Sequence, residues 1–215
     1  MRNFWLFPVV TVFSLALAGG AMADGSSKYY VDVGGGYTII DDADLSDSTL
    51  PGVSGTLSAD GGYQFTAAIG REMGSGFRAE LEFSYRQADL DDITIAAFGL
   101  TATGVVDGDV STLSGMANVL YDFELDGKIT PYIGGGLGVA SINVEIDSVA
   151  GVTTAFDDSD TVIAYQGLVG LRYPLTDQIS IRGGYRLFAT GDPEFGTTEG
   201  EFLSHNIEVG LSYNF

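Results

Sequence analysis

Apolar and polar residues alternate strictly at the end of the chain. Ile207, Val209, Leu211, Tyr213 and Phe215 are apolar, and Asn206, Glu208, Gly210, Ser212 and Asn214 between them are polar or small. A period of two is the signature of a β-strand with one apolar and one polar face. Seven earlier segments repeat it. The pattern predicts strands at 29–39, 62–71, 77–87, 110–123, 130–142, 161–173, 179–188 and 203–215. Each is close to, or slightly longer than, the ten residues with which a tilted β-strand crosses a bilayer.

Parity then assigns the faces. At 77–87, Phe77, Ala79, Leu81, Phe83 and Tyr85 share one side, and Arg78, Glu80, Glu82, Ser84 and Arg86 the other. At 179–188, Ile179, Ile181, Tyr185 and Leu187 oppose Ser180, Arg182, Gly184 and Arg186, and Arg172 falls on the polar side of 161–173. An arginine facing lipid at the bilayer midplane costs about 2–4 kcal/mol, against a stability of roughly 5–15 kcal/mol for a whole domain. The polar face is therefore predicted to line an interior. A soluble barrel with an apolar lumen and a wet exterior is excluded on this reading. Eight strands enclose a lumen just wide enough for side chains to fill it, and buried charges need partners. We expect an internal network of Arg78, Arg182 and Arg186 with Glu80, Glu82 and Glu208, Asp32 facing the same way.

The connections alternate in length. Those at 40–61, 88–109, 143–160 and 189–202 are long, and those at 72–76, 124–129 and 174–178 are short and rich in turn residues. The pattern as a whole predicts an all-β protein: an eight-stranded antiparallel up-and-down transmembrane β-barrel with four long outer loops and short periplasmic turns. Glycine runs at 34–36, 134–136 and 183–184 fall inside strands, where they relieve crowding around large inward neighbours. None has the G-x-G-x-x-G spacing of a phosphate-binding loop.

Charge and the amino-terminal residues refine this picture. Arg2, an apolar run from Phe4 to Ala18 and the small-residue motif Ala21-Met22-Ala23 have the form of a cleaved secretory signal, giving domains at 1–23 (signal) and 24–215 (barrel). No further domain is expected. There is no cysteine, so disulfides do not staple the exported chain. The net charge of −20 argues against nucleic-acid binding. The four long connections hold most of the 29 acidic residues and no lysine or arginine. They read as solvated, mobile surface loops. Asp157, Asp158 and Asp160 form their densest cluster, a weak candidate for a hard cation, and one lacking the glycine and distant glutamate of a helix–loop–helix calcium site. No cofactor is expected. His205, the single histidine, has Ser204 and Glu208 nearby in sequence. By parity it faces out while they face in, which separates the members of a triad. No Asp–His arrangement of the kind used by barrel proteases is evident, and the reading is non-enzymatic.

Met116-Ala117-Asn118-Val119-Leu120-Tyr121-Asp122-Phe123, Pro131-Tyr132-Ile133-Gly134-Gly135-Gly136-Leu137-Gly138, Tyr165-Gln166-Gly167 with Gly170-Leu171-Arg172-Tyr173, and the segment ending at Phe215 together resemble the opacity-type, OmpA-like small outer-membrane barrels, a surface-antigen family that includes porin-annotated members. The resemblance implies location in the bacterial outer membrane. It implies contact with lipid and lipopolysaccharide, recognition of the terminal Tyr213 and Phe215 by the barrel assembly machinery, and a host or surface receptor met through the loops. The acidic loops depart from neisserial-type adhesins, whose basic loops bind polyanions. Two functions fit: a structural or interaction protein displaying acidic loops for adhesion or envelope integrity, its lumen closed by ion pairs, or a narrow porin-like channel for ions or small solutes. A lipid-modifying barrel enzyme is the third.

Overall fold

The computed structural model describes residues 29–41, 43–47, 53–59, 61–97, 100–149, 152–191, 194–195, 198–199 and 202–215. The expected signal segment, residues 1–23, lies outside them. Twelve strands are present among the described residues: β1 (Tyr29–Ile40), β2 (Ala43–Asp47), β3 (Val53–Ala59), β4 (Gly62–Gly74), β5 (Phe77–Ala97), β6 (Leu100–Asp122), β7 (Thr130–Val149), β8 (Val152–Pro174), β9 (Ile179–Thr190), β10 (Glu194–Phe195), β11 (Thr198–Glu199) and β12 (Leu203–Asn214).

Eight of these strands close on themselves. The antiparallel ladders run β1–β4–β5–β6–β7–β8–β9–β12 and return to β1, where Tyr30 faces Asn214 and Ile40 faces Ser204. Closure removes every sheet edge from the hydrocarbon, where an unpaired backbone group is expensive. The predicted eight-stranded antiparallel barrel is thus the observed fold. One short connection is a very tight turn: Gly74, Ser75 and Gly76 all have positive φ (84°, 52° and 80°), a conformation that glycine adopts without strain.

The long connections are where the structure departs from the sequence reading. Strands β5, β6, β7 and β8 contain 21, 23, 20 and 23 residues, about twice the length needed to cross a membrane. Segments 88–109 and 143–160, expected as mobile loops, are mostly paired continuations of the barrel strands, with Ala88 opposite Val110 and Val144 opposite Asp158. Within 40–61, β2 pairs with β3, and β3 adds to the upper part of β5. Within 189–202, β10 pairs with β11, and β11 pairs with β2. Among the described residues, two of the four long connections thus extend the barrel strands, and the other two build a small sheet on its rim.

The apolar core is in this outer half. Ile40, Ala88, Leu90, Val110, Ala140, Ile142, Val144, Ala164, Phe188 and Phe202 form one buried cluster, reaching down to Met116. The expectation of a polar interior holds only below it. On the same parity the upper lumen is apolar, and the residues facing outward there, such as Asp89 and Glu145, are polar and exposed. The physical reason is the change of solvent outside the wall: hydrocarbon below, water above.

Candidate functional site in the barrel lumen

The lower lumen is built by alternate residues of the eight barrel strands, and its outward counterparts form an apolar belt. Val33, Phe65, Phe83, Val119, Leu137, Ile163, Val169, Ile207 and Val209 are all exposed. Aromatic pairs ring the short-turn end: Phe77 with Tyr121, Tyr121 with Phe123, and Tyr29 with Phe215, which also stacks on Tyr213. At the opposite boundary the Tyr63 and Tyr85 hydroxyls both donate to Gln87 Oε1 at 2.8 Å. Aromatic girdles at two levels are the mark of a membrane-spanning barrel.

Inside, a continuous hydrogen-bonded chain climbs the lumen. Nearest the short turns, Arg172 and Arg78 hold the two oxygens of Asp122 at 2.7 and 2.8 Å, and Arg172 also lies 3.6 Å from Glu72. Arg78 donates to the Tyr30 hydroxyl at 3.2 Å, and Tyr30 donates to Glu80 at 2.8 Å. Asn118 bridges Glu80 (3.0 Å) to Glu82 (3.4 Å). Arg186 then makes a two-pronged contact with Glu82, Nη2 to Oε2 at 2.8 Å, and reaches Glu208 at 3.2 Å. Arg182 joins Glu208 to Asp32, its Nε 2.7 Å from Asp32 Oδ1. Gln64 and Gln166 fill the gaps, donating to Glu208 at 3.0 Å and to Asn118 at 2.7 Å. Such charge-assisted, forked contacts are the strong class of hydrogen bond.

All six residues expected in the internal network are inward, and the structure brings Glu82, Arg182, Arg186 and Glu208 together. Arg78 differs. Its carboxylate is Asp122, and Glu80 connects to it only through the Tyr30 hydroxyl. Asp122, Tyr30, Asn118, Gln64 and Gln166 also belong to the network, beyond the six that parity and charge suggest. All share the inward parity, but only the closed register shows which of them meet. Glycines make room for the large groups. Gly170 and Gly184 lie against the Tyr132 ring, and a Cβ at either would stand within 2.7 Å of its hydroxyl.

Above this layer the chemistry changes. Arg86, fully buried, lies with its guanidinium 4.0 Å from the centre of the Phe188 ring and donates to Ser84 at 2.9 Å and Ser114 at 3.3 Å. No carboxylate lies within ion-pair distance of it among the described residues. Arg86 and Phe188 form the boundary between the charged layer and the apolar cap.

His205 faces outward, as parity predicts, while Ser204 is fully buried inside. Its Nε2 lies 3.3 Å from Asp41 and its Nδ1 contacts the Tyr185 hydroxyl. An Asp–His contact is therefore present, contrary to the sequence reading, though on the outer surface and away from Ser204 and Glu208. Asp160 accepts a hydrogen bond from the Thr161 backbone N–H at 2.7 Å. The side chains of Asp157 and Asp158 lie outside the described residues, and no acidic or histidine cluster suited to a metal is found among the described ones. Tyr213 lies on the lipid face, and the Phe215 N–H donates to the Tyr29 carbonyl at 3.0 Å.

A closed antiparallel barrel with an apolar belt, aromatic girdles and a charged lumen is a transmembrane barrel of outer-membrane type. The chain belongs to the outer membrane protein beta-barrel domain family, whose model matches residues 9–215. An outer membrane protein of Gluconacetobacter diazotrophicus is 30% identical over 175 residues, covering 74% of this chain and 45% of that protein, so the chain spans under half the length of that relative. Outer membrane protein PagN of Salmonella typhimurium is 24% identical over 212 residues, covering 89% of this chain and 85% of that protein. Among solved structures, Neisserial surface protein A superposes with a TM-score of 0.54 at 19% identity, covering 87% of this chain and 97% of that one, a likeness of fold. The protein is an outer-membrane β-barrel.

Proposed function

We propose that this barrel is a closed anchor that presents a folded acidic sheet at the cell surface, for adhesion or envelope integrity. The observation that carries this reading is the filled lumen. The chain from Arg172 to Asp32 occupies the lower half, Arg86 lies over the Phe188 ring above it, and a buried apolar cluster follows. A route for ions would have to break charged contacts and then cross a packed apolar layer, where an unpaired ion is strongly disfavoured. The surface of such a protein acts through shape and charge. Its acidic residues suit a partner with basic groups, or lipopolysaccharide bridged through divalent cations.

The reading is non-catalytic. Among the described residues, His205 on the outer wall touches Asp41 and the Tyr185 hydroxyl, and Ser204 is buried on the other side of the strand. The terminal strand, with Tyr213 and Phe215 outward, is the part we assign to recognition by the assembly machinery. A narrow porin-like channel is the second reading, favoured by the polar lining of the lower lumen. Single-channel recording from the refolded barrel in planar bilayers decides between the two. We expect no discrete conductance at neutral pH. Steady openings in the unmodified protein would replace the anchor by the channel.

A further inference from the structure

The outward face of the barrel carries a groove near the short-turn end, of about 320 Å³. It lies where small residues interrupt the belt. Across neighbouring strands, Ile69, Leu81 and Ala117 stand in one row and Arg71, Ala79 and Val119 in the next. Ala79 and Ala117 lower the surface between the larger side chains around them. Arg71 closes the end of the groove, its guanidinium 5.7 Å from the centre of the Tyr29 ring.

Arg71 is unusual in its position. Of the arginines among the described residues, Arg78, Arg86, Arg172, Arg182 and Arg186 all point into the lumen; Arg71 is the one on the lipid-facing side of the wall. Lys128 lies in a turn below the belt. A cation facing lipid is costly at the midplane but not at the interface, and Tyr29 places Arg71 in the aromatic girdle. At that level of the bilayer the abundant anions are phosphodiester headgroups, and the guanidinium fork matches phosphate oxygens.

We propose that this groove is a binding site for an anionic phospholipid of the periplasmic leaflet. The phosphate sits on Arg71 beside the Tyr29 ring, and one acyl chain lies along Ala79 and Ala117. The site retains a lipid on the outer face of the barrel wall, with Glu80 and Asn118 of the luminal network also contributing to its lining.

Native mass spectrometry of the detergent-purified, folded barrel tests the assignment, with phosphatidylglycerol and phosphatidylcholine of matched chains as the probes. We expect phosphatidylglycerol adducts to exceed phosphatidylcholine adducts by about fivefold, the factor expected for one cation near an anionic lipid. Arg71→Gln abolishes that preference, Arg71→Lys keeps most of it, and Ala117→Leu, which fills the groove, lowers adducts of both lipids. Lys128→Gln leaves all of them unchanged. Folding of each variant is checked independently by its heat-dependent shift on electrophoresis. Equal adducts for the two lipids, or an unchanged preference in folded Arg71→Gln, would overturn the site. Loss of the preference in Lys128→Gln would move it to the turn and overturn it equally.

Discussion

Along β5, Arg78, Glu80 and Glu82 face the lumen below while Phe77, Leu81 and Phe83 face lipid; a few residues higher, Ala88 and Leu90 face inward and Asp89 faces out. Strand β7 repeats the reversal. Leu137 and Val139 are exposed on the belt, whereas Ile142 and Val144 are buried on the opposite parity. One continuous strand thus carries two inverted patterns. The lower follows the rule of a membrane barrel, apolar out and polar in. The upper follows that of a soluble sandwich, polar out and apolar in. The place where the phase slips marks the membrane surface more sharply than any single residue does.

Substitutions can break this comparison, and the largest effect belongs to the charged layer. Arg186→Met leaves Glu82 buried without its arginine, and breaking a buried pair in this way costs about 3–5 kcal/mol. Equilibrium unfolding of the refolded barrel in lipid vesicles measures it, and a loss under about 1 kcal/mol would mean that the network does not hold the lower half together. In the upper half, Ile142→Ala opens a cavity in the apolar cluster, at a cost of roughly 2–5 kcal/mol. Hydrogen exchange should rise in the upper parts of β7 and β8 and stay unchanged in the belt. A matched pair then tests the phase slip directly. Leu137→Arg places a charge in hydrocarbon and costs about 2–4 kcal/mol, while Asn143→Arg, outward on the same strand but above the slip, costs under about 0.5 kcal/mol. Equal effects at the two sites would remove the boundary. A change smaller than the losses at Arg186, Ile142 and Leu137 is expected for Arg86→Met. With no carboxylate at ion-pair distance among the described residues, this buried arginine can be exchanged for an apolar side chain of similar volume within about 1 kcal/mol.

How much of this was legible in the sequence follows from the same contrast. Parity placed Arg78, Glu80, Glu82, Arg182, Arg186 and Glu208 inside, because within the bilayer only one assignment is affordable. In the sequence the upper halves of β5 to β8 look like loops, because Asp89, Asp109, Asp157 and Asp158 suggest solvated connections. The alternation in fact continues through Ile142, Asn143, Val144, Glu145 and Ile146, with its phase inverted. The ion pairs were not legible. Arg186 and Glu82 are 104 residues apart, and Arg182 and Asp32 are 150 apart. Their meeting depends on closure and on the stagger of the strands, which no local pattern encodes. Asp122 sits at the end of its strand beside a turn, where alternation alone does not mark it as a luminal residue.

The pairing of β11 with β2 has a consequence in time. Every ladder of the barrel except β1–β12 joins strands that are consecutive in the barrel, so most of the wall can grow hairpin by hairpin at low contact order. The last ladder has to unite the two ends of the meander. Strand β2 follows β1 and strand β11 precedes β12, so their pairing, Thr198 with Asp47 and Glu199 with Ser46, reaches across the top of that same seam. A clasp in this place joins both ends of the meander above the seam, so weakening it is expected to speed reopening of the barrel more than it slows closing.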